Sequence, residues 1–103
     1  MNLEQFIDKY KPLNISVDYN KYKNYYQNIK DYIEYDAYDY DEEDFIDKEE
    51  ILKTGNLYEL YVYPDTPIGF YKIFSSRLDL AINKMSEVFE ELINEGRYKI
   101  EED

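Results

Sequence analysis

Between residues 31 and 50 the chain holds eleven Asp and Glu against Lys48 alone, a net charge of −10, and this stretch limits the possible folds more than any other feature. Charges at that density repel one another inside the ~8 Å Debye length of physiological salt, a cost to folding that suggests a use or else local disorder. Residues 1–30 sum to +2 and residues 51–103 to −4, and both flanks carry apolar periodicities that the centre lacks.

On the N-terminal side, Leu3, Phe6, Ile7 and Tyr10 recur at helical spacing and Pro12 stops the turn, which predicts a short amphipathic helix over residues 2–10. Asp18 is a plausible N-cap for a second helix in which Tyr22, Tyr25, Tyr26, Ile29 and Ile33 share one face. In the acidic stretch, Tyr35, Ala37, Tyr38 and Tyr40 alternate with acids in a way that allows an extended segment. Phe45, Ile46, Glu49 and Leu52 then allow a short helix, ended by Thr54-Gly55-Asn56.

The C-terminal side is more regular. Bulky strand formers alternate over residues 57–63 and 69–75 around a turn at 64–69, predicting a β-hairpin. Ser75 or Ser76 can cap a final helix whose apolar stripe runs through Leu78, Ala81, Ile82, Met85, Phe89, Leu92 and Ile93, with Gly96 at its end. Tyr98 and Ile100 offer a third short strand, or a frayed tail. The expected fold is therefore a single α+β domain over residues 1–103: two N-terminal helices, an acidic segment, a β-hairpin and a C-terminal amphipathic helix.

The chain has no cysteine and no histidine, which removes disulfides, thiolate metal sites, the commonest general base and the Ser-His-Asp arrangement. Gly55, Gly69 and Gly96 are isolated and form no phosphate-binding loop. These gaps point away from an enzyme and from any cofactor. Asp39, Asp41, Glu43, the Phe45 carbonyl, Asp47 and Glu50 fall at the ligand offsets of a calcium loop, but Asp44 stands where that loop needs glycine. No metal site is assigned. The N-terminus has neither a signal peptide's apolar run nor a membrane span, so a cytoplasmic location is expected.

Overall, 24 Asp and Glu against 12 Lys and Arg give a net charge of −12, which repels a phosphate backbone and disfavours direct nucleic-acid binding. The expected partner is instead a basic protein surface. The residues placed to meet it are Glu34, Asp36, Asp39, Asp41, Glu42, Glu43, Asp44 and Asp47 as carboxylates, with Tyr35, Tyr38 and Tyr40 as contact anchors. Tyrosine supplies contact area at small entropic cost, and eight of the 14 tyrosines lie between Tyr19 and Tyr40.

With these acids and tyrosines in view, the chain resembles the small acidic inhibitors carried by phages and mobile elements, including DNA-mimic anti-CRISPR proteins. The resemblance lies in size, charge, the absence of His and Cys, and the acidic-aromatic segment. It implies a stoichiometric inhibitor that occupies the basic nucleic-acid groove of a DNA-handling enzyme, such as an RNA-guided nuclease, in a bacterial cytoplasm. A weaker resemblance is to immunity proteins and antitoxins that neutralise nuclease toxins. An acidic structural or assembly protein without inhibitory activity is a third alternative.

Overall fold

A computed structural model describes residues 1–21, 45–64 and 70–100. In chain order the elements are α1 (Leu3–Tyr10), β1 (Asn14–Lys21), α2 (Lys48–Thr54), β2 (Asn56–Tyr63), β3 (Tyr71–Ser75) and α3 (Leu78–Asn94). The three strands form an antiparallel sheet in the order β1-β2-β3. The α+β class is as expected, and the third strand is a finding.

Helix α1 begins with a reciprocal cap: the Asn2 side chain accepts from the Gln5 amide and the Gln5 side chain accepts from the Asn2 amide, both at 2.8 Å. It ends at Lys11, whose φ of 47° is left-handed, immediately before Pro12. Phe6 and Tyr10 are buried, whereas Ile7 on the same predicted stripe remains exposed.

Strand β1 replaces the start of the expected second helix. Asp18 does not cap a helix; it lies within the strand, opposite Glu59. The physical reason is the period-2 order of Ile15, Val17 and Tyr19 against Asn14, Ser16, Asp18 and Asn20, which suits a strand with one face on a core. The remainder of that predicted helix, Tyr22 to Ile33, lies outside the described residues. Of the two alternatives left open for the tail, the third short strand is not formed, since Arg97 to Ile100 are not in a strand. Tyr98 instead turns inward, and its hydroxyl donates to the carbonyls of Tyr10 and Lys11.

The two faces of the sheet bury different clusters. Ile15, Val17, Leu60, Val62, Tyr71 and Ile73 face α1 and α3 and pack against Phe6, Tyr10, Ile82, Met85 and Phe89. On the opposite face Leu57 and Phe74 pack with Phe45 and with Ile51 of α2. Gly55, at φ 76°, lets the chain turn straight from α2 into β2. Helix α3 shows the predicted stripe, but neither serine caps it. Ser75 closes β3, and Arg77 holds the N-cap position without a side-chain bond.

Helix α1 is held to α3 by a polar cluster above Phe89. The Tyr10 hydroxyl donates to Glu90 Oε1 at 2.7 Å and lies 2.7 Å from Ser86 Oγ, while Lys9 Nζ pairs with the same Glu90 oxygen at 3.0 Å. Burial of the Tyr10 phenol raises its pKa above the ordinary tyrosine value. The Tyr10 hydrogen bond, aided by Lys9, lowers that of Glu90. A lowered carboxylate pKa gives stability that is present above the unfolded-state value and is lost as pH falls through the folded one. A raised phenol pKa gives stability that is lost only as pH rises through its own elevated value. Tyr10→Phe is accordingly expected to cost about 1 kcal/mol at neutral pH, allowing for the half-exposed carboxylate. Urea melts should show the loss of wild-type stability on acidification becoming shallower in the variant.

Candidate partner-binding site

Of the residues expected to meet a partner, Glu34, Tyr35, Asp36, Tyr38, Asp39, Tyr40, Asp41, Glu42, Glu43 and Asp44 lie outside the described residues. Asp47 lies within them, and its carboxylate is engaged. One oxygen accepts from the Ser76 amide at 3.0 Å and the other from the Ser76 hydroxyl. Asp47 thus ties the entrance of α2 to the junction between β3 and α3 instead of capping its own helix. Removing the carboxylate leaves the buried Ser76 donors without this acceptor, so Asp47→Ala is expected to cost about 2 kcal/mol in chemical denaturation. Asp47→Asn, which keeps one acceptor, is expected to cost roughly half as much.

The points where the chain enters and leaves residues 22–44 are both fixed to the sheet. At the first, the Lys21 ammonium donates to the Thr54 carbonyl at 2.8 Å and to Asn56 Oδ1 at 3.1 Å, and the Tyr19 hydroxyl donates to the same Asn56 oxygen. At the second, the Phe45 ring stacks on Phe74 with centroids 4.6 Å apart, and the Ile46 amide donates to the Phe74 carbonyl. These anchors lie at opposite edges of the sheet, one on β1 and one beside β3.

Charge on the described part of the chain is nearly balanced. It holds twelve Asp and Glu against ten Lys and Arg, a net of −2 out of the total of −12. Several of its acids are matched locally, in the pairs Lys9–Glu90, Arg77–Asp79, Lys84–Glu87 and Arg97–Glu95. Among the described residues no group of three or more acids could hold a metal ion, and no helix is long and apolar enough to cross a membrane.

One feature of the sheet is absent from the sequence-based site. Tyr61, packed against the edge of the α2 cluster, continues into Tyr63 and Phe70 as an aromatic row with the Phe70 centroid 5.4–5.6 Å from the other two, and Tyr63 and Phe70 are 36% and 42% exposed. The Lys72 ammonium lies 5.7 Å from the Phe70 ring centre. The hairpin alternation already held the signal: residues 57, 59, 61 and 63 share one face, and Leu60 and Val62, at even positions, fill the other.

No family model, curated protein or solved structure matches the chain. The labels of anti-CRISPR protein, DNA mimic and phage inhibitor, suggested by overall composition, are therefore corrected. No match supports them, and the near-neutral, internally paired charge of the described residues is not the continuous acidic surface that those labels require.

Proposed function

We propose that this chain is a non-catalytic binding protein that uses the acids and tyrosines of residues 34–44 to occupy a basic groove on a protein partner, an enzyme that handles nucleic acid. The observation that carries the reading is the partition of charge. Eight acids fall between Asp31 and Asp44, joined at both ends to a sheet-and-helix frame whose own net charge is only −2. A frame so nearly neutral offers those acids few surplus cations, and a basic partner supplies them.

The non-catalytic part of the reading rests on the residue types the chain lacks. A carboxyl group that works as a general acid needs a raised pKa. Glu90 has its pKa lowered instead, by the Tyr10 hydrogen bond and Lys9. The chain has no histidine or cysteine to serve as general base or nucleophile.

The test is competition. The partner recovered by affinity purification from the native host is titrated with nucleic acid in the presence and absence of this protein. The reading expects each ligand to exclude the other, with apparent affinity for nucleic acid falling in proportion to the protein added. Simultaneous binding of both, or a partner without affinity for nucleic acid, contradicts it.

A further inference from the structure

The two edges of the sheet are not alike. On the β3 side the Phe45–Ile46 segment lies beside Phe74, and the Ile46 amide donates to the Phe74 carbonyl. On the β1 side, among the described residues, Asn14–Lys21 pair with β2 alone and leave one row of backbone groups open. Two observations identify the groups in that row. The Ile15 amide donates to Asn14 Oδ1 at 2.8 Å and not to β2. Pro64 has no N–H with which to reach Leu13, so the facing residues Asn14 and Tyr63 form a pair that exchanges both backbone bonds. Alternation along an antiparallel ladder then turns the N–H and C=O groups of Ile15, Val17 and Tyr19 outward.

Strand edges are ordinarily protected against pairing by a proline, a bulge or an inward-facing charge. None lies between Ile15 and Asn20: the register with β2 is unbroken, and the side chains on the helix-covered face are those of Ile15, Val17 and Tyr19. We infer that β1 is a dimer interface, at which two copies of this chain join their sheets edge to edge, antiparallel, about a two-fold axis through Val17. The side chains set the register. Centred on Val17, the outward groups of Val17 meet those of Val17 in the second copy, Ile15 meets Tyr19, and Ser16 meets Asp18. Apolar side chains then lie opposite one another on the helix-covered face. On the other face the serine hydroxyls reach the Asp18 carboxylates, which are exposed and make no hydrogen bond or ion pair among the described residues. Centring on Asp18 would set two carboxylates face to face. Centring on Ser16 or Tyr19 shortens the paired stretch of β1. A second copy is chosen over a charged segment of another protein because β1 carries one Asp and one Lys, no net charge, and is complementary to itself. The inference goes beyond the proposed function and does not depend on it.

Sedimentation velocity of the intact protein from low to high micromolar concentration tests this, with amide hydrogen exchange at both ends of the range. A weak dimer is expected, because edge pairing buries little surface. The Val17 and Tyr19 amides are expected to exchange freely in dilute protein and to slow as the dimer fills, while those of Ser16 and Asp18, already bonded to β2, stay protected throughout. Ser16→Lys sets a lysine opposite Asp18 twice and is expected to tighten the dimer about fivefold. Ser16→Lys/Asp18→Lys sets lysine opposite lysine and is expected to weaken the dimer about fivefold against the wild type, although it moves the net charge from −12 to −9. Relief of general repulsion between acidic chains would give the reverse order, so the two variants read the register itself. The inference is overturned by a protein that stays monomeric at high micromolar concentration, by Val17 and Tyr19 amides whose exchange ignores concentration, or by a double variant that dimerises more tightly than Ser16→Lys.

Discussion

Phe89→Ala is expected to destabilise the protein by about 4 kcal/mol and to lower its melting temperature by about 20 °C. The Phe89 ring is fully buried and stands among four others: Tyr98 at 5.1 Å, Phe6 at 5.3 Å, Tyr10 at 5.5 Å and Tyr71 at 6.0 Å between centroids. These four rings come from α1, β3 and the C-terminal tail, so the cavity left by alanine on α3 has walls on three other parts of the chain that cannot all close in together. Tilted and edge-on pairs of this kind add to the burial term, and their loss accompanies the cavity. Phe89→Leu keeps most of the volume and should cost about a third as much. Thermal melts followed by circular dichroism check both. A loss below about 1.5 kcal/mol for the alanine variant would mean that the tail and α1 are not packed on Phe89 as described.

The second large effect concerns binding. Reversing Asp39, Asp41, Glu43 and Asp44 to lysine moves the net charge from −12 to −4. It is expected to weaken the partner complex on the order of a hundredfold, since each reversal exchanges an attraction for a repulsion at the same place. Folding stability should be unchanged or slightly higher, because the reversal relieves the self-repulsion of a dense acidic run. The combination matters: lost binding with a preserved or raised melting temperature assigns the effect to contact chemistry. Isothermal titration against the purified partner, with a parallel melt, measures both quantities.

The elements legible in the sequence are those in which one periodicity had no rival. Leu78, Ala81, Ile82, Met85, Phe89 and Leu92 fit only a helix, and Leu57 to Tyr63 with Tyr71 to Ser75 fit only a hairpin. Strand β1 was harder to see because Asp18 suits two roles. A short acid before a run of tyrosines is a good N-cap, and it is equally good as the solvent-facing member of an alternating strand. Pairing with β2 along all eight residues decides between them, and that is a long-range contact no local window contains. Ser75 and Ser76 mislead in the same way, since a serine before a helix suggests a cap, yet the Ser76 donors are engaged by Asp47, 29 residues earlier.

The site divides similarly. The acids from Glu34 to Asp44 announce themselves by composition, whereas Asp47, at the end of the same run, is bound to Ser76 and cannot be told from its neighbours by charge alone. The aromatic face is the reverse case. The hairpin alternation sets Tyr61 and Tyr63 on the face opposite Leu60 and Val62, but it is the placement of the α2 cluster, which reaches Tyr61 and no further, that leaves Tyr63 and Phe70 exposed.

If carboxylates of the central third seat the protein in a cationic groove, the dissociation constant of the complex must depend on ionic strength. The most direct measurement follows that constant from low to high salt for the wild type and for the fourfold lysine variant. The account predicts a steep loss of wild-type affinity with added salt and a much flatter response in the variant. A wild-type affinity indifferent to salt, or two parallel curves, would contradict it.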